Sequence, residues 1–133
     1  MESLLPLLLL ISITSVIGLL LRAKKGVIKK GTRVKISEGE FGGKYGSHLT
    51  ILQFSTTFCS ECRTAKAIVN DVVKDFEDIA YVEVDAESNL ELVRRVDIRS
   101  TPTTIFLDSK GFEIARAKGA PKRDQLIKAI KAI

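Results

Sequence analysis

From Leu4 to Leu21 the chain is apolar almost without a break, and beyond it apolar and polar positions alternate in short blocks. At about 1.5 Å per residue the first run makes a helix of roughly 27 Å, close to the hydrocarbon thickness of a bilayer. Pro6 sits in its first turn, where a missing N–H does no harm, and Ser12, Thr14, Ser15 and Gly18 are tolerated in a spanning helix. Leu49–Phe54 is a short apolar run of the kind expected in a strand buried on both faces. Ala65, Ile68, Val69, Val72, Val73 and Phe76 recur at helical spacing and predict an amphipathic helix from about Cys59 to Phe76. Ala80–Asp85 predicts a second strand. Leu90, Leu92, Val93 and Val96 predict a second helix, capped by Ser88 or Asn89. Thr103–Leu107 and Phe112–Ala117 flank Asp108-Ser109-Lys110-Gly111 in a hairpin pattern, and a last helix runs from about Arg123 to Ile130.

The resulting order, β-α-β-α-β-β-α, makes the first two strands parallel and the hairpin antiparallel. This is an α/β unit with a mixed central sheet flanked by helices, preceded by one transmembrane helix. Between the two, Gly26, Gly31, Gly39, Gly42, Gly43 and Gly46 with few large apolar residues read as a linker, in which Arg33–Ile36 alternates like a short edge strand. The expected organisation is an anchor over residues 1–22, a basic Gly-rich linker over 23–48 and a folded domain over 49–133.

Charge sharpens this division. The formal net charge is +5, yet eight basic residues fall between Arg22 and His48 against Glu38 and Glu40, while Leu49–Ile133 is neutral. A nucleic-acid groove would spread basic charge over the folded part, so nucleic acid is excluded as a partner. The N-terminal flank of the apolar run is Met1-Glu2-Ser3 and its exit is Arg22-Ala23-Lys24-Lys25. A cleaved signal peptide has a basic start and a small-residue exit, so the run reads as a retained anchor. Arg22, Lys24, Lys25, Lys29 and Lys30 all follow it and none precede it. The positive-inside rule then makes the chain a single-pass cell-membrane protein, N-out and C-in, with its domain in the cytoplasm; the alternative is an extracytoplasmic domain. The same basic residues are expected to meet anionic lipid headgroups.

Two cysteines are too few for a disulfide-stapled mini-domain or an all-cysteine zinc site. Both lie in Cys59-Ser60-Glu61-Cys62, at the junction of a buried strand and the following helix. A C-x-x-C beside a βαβ pattern is a redox signature. Unpaired N–H groups and the macrodipole at a helix start stabilise a thiolate, which makes Cys59 the nucleophile. Cys62, one turn behind, is placed to resolve a mixed disulfide. The structural alternatives are a pair of small core cysteines or half a metal site, for which no further ligand is evident. His48, the sole histidine, reads as a loop residue. No metal and no cofactor is expected.

Arg99-Ser100-Thr101-Pro102-Thr103 precedes the third strand, and a proline at a strand entry is a candidate for a cis bond. With Phe58-Cys59-Ser60-Glu61-Cys62-Arg63, Val82-Glu83-Val84-Asp85, Thr101-Pro102-Thr103 and the late Gly119, the chain from about Leu49 onward resembles the thioredoxin family. With the anchor in front, it looks like membrane-anchored bacterial thioredoxin-like proteins. The resemblance implies a thioredoxin-like fold, with Pro102 cis against the two sulfurs and the Thr101 main chain pairing with a substrate peptide as an added strand. Three positions depart from the family pattern. Phe58 stands where a tryptophan is usual, and Ser60-Glu61 replaces Gly-Pro between the cysteines. Gln53 takes the place of a buried acid that helps deprotonate the second cysteine. A carboxylate at Glu61 opposes the Cys59 thiolate, which favours a more reducing couple.

The functional expectation is a membrane-anchored thiol–disulfide oxidoreductase acting as a reductase of protein disulfides. Cys59 and Cys62 are catalytic, Phe58, Thr101 and Pro102 bind substrate, and Ser60 and Glu61 modulate the couple. Its partners are protein disulfide or dithiol substrates, an electron donor of unknown identity and membrane lipid. The alternative is a catalytically weak thioredoxin-fold module that binds a membrane partner.

Overall fold

The computed structural model describes residues 4–24 and 26–133. In chain order the elements are α1 (Leu4–Lys24), β1 (Ile28–Lys30), α2 (Glu38–Phe41), β2 (Leu49–Ser55), α3 (Ser60–Val73), β3 (Ile79–Asp85), α4 (Leu90–Arg95), β4 (Thr103–Leu107), β5 (Glu113–Lys118) and α5 (Arg123–Ala132). The strands form one sheet in the order β1-β5-β4-β2-β3. Only β2 and β3 are parallel, joined by the α3 crossover, with Leu49 opposite Ile79 and Ser55 opposite Asp85. β2 pairs with β4, β4 with β5 and β5 with β1, all antiparallel.

Every residue of β2 and β4 is buried, because each has a neighbouring strand on both edges and packed side chains on both faces. The period-two alternation of side chains divides the core in two. Leu49, Ile51 and Phe106 face Val69 and Val72 of α3 and Leu126 and Ile130 of α5. Leu52, Phe54, Ile105 and Leu107 face the other way, against Ile36, Phe41, Leu92 and Val96. α1 lies outside both clusters, with none of its side chains buried.

The elements from Leu49 onward match the expected ones, with ends shifted by at most three residues, the largest shift being at the end of α3. α3 begins at Ser60 with Cys59 as its N-cap residue and ends at Val73. Asn89 is the N-cap residue of α4 but makes no capping side-chain bond; its amide instead donates to the Asp85 carbonyl at 2.8 Å. At the hairpin, Asp108 accepts from the N–H groups of Lys110 and Phe112, and Gly111 takes up a φ of +89°.

The segment over 23–48 departs from its reading as a linker. Ile28–Lys30 is the strand that pairs with β5, ahead of the expected Arg33–Ile36. The latter follows β5 irregularly, Arg33 donating to the Glu113 carbonyl, Glu113 to the Val34 carbonyl and Ile36 to the Gly111 carbonyl. Ile36 and Phe41 enter the core, and Ser37 with Glu40 forms a capping box at the start of the one-turn α2. The glycines lowered the apolar density enough to hide this, yet two apolar anchors suffice to fasten a segment that already has strand partners. Glu113, fully buried, adds a further clamp by accepting from the Thr32 N–H at 2.5 Å and from Arg116 Nε at 2.6 Å.

Gly26 begins this clamp. Its φ is +75°, its N–H donates to the Lys118 carbonyl at 2.6 Å, and a Cβ there would lie 2.1 Å from the Ala120 carbonyl oxygen. Gly26→Ala is therefore expected to cost about 2 kcal/mol from backbone strain and displaced packing. Thermal melting of the full chain in detergent should show a Tm lower by about 10 °C.

Candidate active site

Cys59 sits where the buried strand β2 has ended and α3 has not yet begun. Ser55-Thr56-Thr57-Phe58 makes the turn, and Cys59 holds an extended conformation (φ −128°, ψ 103°) that lets its side chain fold back over the helix start. Its Sγ accepts from the Cys62 N–H at 3.1 Å, so sulfur does here what a serine oxygen does at an ordinary N-cap. The two cysteines are joined as a disulfide, with Cα atoms 5.2 Å apart. Cys59 is half-buried, while Cys62, facing the sheet, is 3% exposed. Only the first sulfur is open to an incoming substrate.

The loop before β4 closes the other side. The Thr101–Pro102 bond is cis, Pro102 is buried, and Thr101 Oγ1 lies 3.9 Å from Cys59 Sγ and 3.4 Å from Thr56 Oγ1. The Pro102 carbonyl accepts from the Gly119 N–H at 2.8 Å, and Thr103 Oγ1 donates to the Ser100 carbonyl at 2.7 Å, which holds the loop against the end of β5. Thus residues 42 positions apart in the chain are brought together, so that the two sequence motifs meet. Phe58 is 99% exposed on the rim, and Ser60 and Glu61 are exposed on the first turn of α3. His48 is exposed in the loop before β2, at the opposite end of that strand, and takes no part.

Behind the cysteines lies a network the sequence only half announced. Gln53, fully buried on the α3 face of β2, donates from Nε2 to the Cys62 carbonyl at 2.9 Å and to Ser55 Oγ at 3.0 Å. Its Oε1 accepts from the Tyr81 hydroxyl at 2.7 Å. Tyr81 was legible in the sequence only as a strand residue. Its partnership with Gln53 depends on β3 lying parallel to β2, which puts Tyr81 beside Ile51 and within reach of the amide two residues on. Burial, and after it the charge of Glu83, push the Tyr81 phenol well above its ordinary pKa. The back of the site is therefore neutral amide and phenol.

A folded-state pKa raised above the unfolded value contributes stability that is present below the unfolded pKa, about 10 for tyrosine, and is lost as pH rises through the folded one. Stability is thus expected to fall above about pH 10, and Tyr81→Phe should remove that part of the fall. At pH 7 the same substitution leaves Gln53 Oε1 without its donor, for about 1–2 kcal/mol. Urea titrations at pH 7 and pH 10.5 check both.

A C-x-x-C pair joined as a disulfide, with one sulfur held open at a helix start, places the protein among thiol–disulfide oxidoreductases. The chain belongs to the thioredoxin family, whose model matches residues 34–132. Thioredoxin H2-1 of Oryza sativa subsp. japonica is 26% identical over 110 residues, 83% of this chain and 78% of that protein. Thioredoxin H5 of the same plant is 35% identical over 74 residues, and the chain spans only 54% of its length, 56% of its own. Among solved structures, thioredoxin f2 of Chlamydomonas reinhardtii superposes with a TM-score of 0.59 at 25% identity, over 71% of this chain and 85% of that one. The helix α1 lies wholly ahead of the family match.

Proposed function

We propose that the protein is a membrane-anchored reductase of protein disulfides. The observation that carries this reading is the Cys59–Cys62 pair, with Cys59 Sγ at the start of α3 and facing the Thr101–Pro102 loop. In the reduced protein, the Cys59 thiolate attacks one sulfur of a substrate disulfide and releases the other as a thiol. Cys62 then attacks Cys59 in the mixed disulfide, frees the second substrate thiol and closes the Cys59–Cys62 bond. Two electrons and two protons have passed to the substrate. Thr101 offers main-chain groups for pairing with a substrate strand, Pro102 shapes the groove floor, and Phe58 presents an apolar rim. Glu61, in the first turn of α3, disfavours negative charge on Cys59 and biases the couple toward reduction of partners, with Ser60 beside it.

α1 supplies the anchor. It is 21 residues long, apolar and without a buried side chain, and it carries Arg22 and Lys24 in its last turn. The basic flank favours an N-out, C-in insertion with the domain in the cytoplasm, where thiols are kept reduced. A membrane-impermeant maleimide applied to intact cells after mild reduction tests the orientation. Cys59 is expected to label only after lysis, and labelling before lysis would put the domain outside. In parallel, the purified full chain should reduce insulin with dithiothreitol as electron source; failure there would leave the binding-module reading in its place.

A further inference from the structure

We propose that the substrate groove opens at the bilayer surface and takes disulfides held within a few residues of a partner's own membrane span, in acidic sequence. This inference rests on the membrane-anchored reductase reading and adds the class of substrate to it.

Only residue 25 separates the end of α1 from Gly26. Gly26 donates to the Lys118 carbonyl, and the next residue along, Gly119, donates to the Pro102 carbonyl. The end of the apolar helix and the cis-proline are thus joined through two backbone hydrogen bonds across the edge of the sheet. With strands about 4.8 Å apart and consecutive Cα atoms about 3.8 Å apart, this path keeps Pro102 within about 20 Å of Lys24. The domain side of this junction is fixed, since Gly26 is buried against the Ala120 backbone at a φ only glycine adopts readily. A cavity of about 310 Å³ confirms the proximity, because Leu21, Lys24 and Lys29 line it together with Glu61, Thr101 and Lys118. Leu21 belongs to the apolar run and Thr101 to the groove, so the groove begins where the hydrocarbon ends. A domain held this way reaches disulfides close to the membrane and misses those standing far above it.

Charge selects among them. Lys24, Lys29 and Lys118 outnumber Glu61 around the cavity. A segment bearing carboxylates is attracted there over a Debye length of about 8 Å, and a basic one is repelled.

The test uses the pre-reduced full chain in nanodiscs, followed for a single turnover so that Cys59 and Cys62 are the sole electron source. Single-span peptides carry a disulfide-closed loop flanked by glutamates, either directly after the span or beyond a 20-residue helical spacer of about 30 Å. The proximal loop is expected to be reduced about tenfold faster or more, since its effective concentration at the groove is higher. Lysine flanks in place of glutamates should slow it several-fold. Inserting the same helical spacer after Lys24 should transfer the preference to the distal loop and leave insulin reduction unchanged, which also shows that the variant is folded. Equal rates for proximal and distal loops, an unmoved preference after the insertion, or equal rates for acidic and basic flanks, each with insulin still reduced, would overturn the inference. Loss of insulin reduction by the unaltered chain would instead sink the reductase reading on which it stands.

Discussion

Cys59→Ser is expected to lower insulin reduction by roughly three orders of magnitude, to the background of the dithiothreitol used as electron source. Cys62→Ser is expected to accumulate mixed disulfides between Cys59 and its partners. The asymmetry follows from position. Cys59 is half-buried, its Sγ takes the Cys62 N–H at 3.1 Å, and it sits at the positive end of α3, a position that favours a thiolate. Cys62 is buried against β2 and can reach only a sulfur already joined to Cys59. Non-reducing gels after alkylation check both variants. Capture of partners by Cys59→Ser but not by Cys62→Ser would reverse the two roles.

Gln53→Leu should destabilise the domain by about 3 kcal/mol, a large share of the stability of a domain this size. Leucine fills most of the space but leaves the Cys62 carbonyl, the Ser55 hydroxyl and the Tyr81 hydroxyl without the amide that pairs with all three. Urea unfolding measures the loss. Combined with Tyr81→Phe, the loss should fall short of the sum of the two single losses by about 1 kcal/mol, because both substitutions remove the same bond. Strict additivity would mean that the tyrosine and the amide act independently, and the network described behind the cysteines would then carry no energy of its own.

Much of the fold can be read in the chain because the signals are local. β2 announces itself as a continuous apolar run because it is flanked on both edges and both faces, and α3 as a helical stripe because it rests on one face of the sheet. The hairpin is legible in Asp108 and Gly111, whose side-chain acceptor and permissive backbone the turn needs. α2 and β1 were not legible. One is a single turn whose capping box involves exposed side chains, and the other is three residues with one half-buried side chain, so neither has a period long enough to show.

The site divides along the same line. The C-x-x-C spacing and its place between strand and helix already define redox chemistry and distinguish the two sulfurs, since helix-start electrostatics act within one turn. The apolar run and the basic residues after it are likewise legible without the fold, because the length and composition that a bilayer span would need are properties of the chain alone. Pairings across the sheet belong to the tertiary structure alone. Thr101 comes to Cys59, Tyr81 to Gln53, and Gly26 through Lys118 and Gly119 to Pro102 only when distant strands settle into register. No local pattern encodes a register, which the packing of two core faces selects as a whole. The chemistry of the sulfurs was therefore set by neighbours in the chain, and what stands around them by neighbours in space.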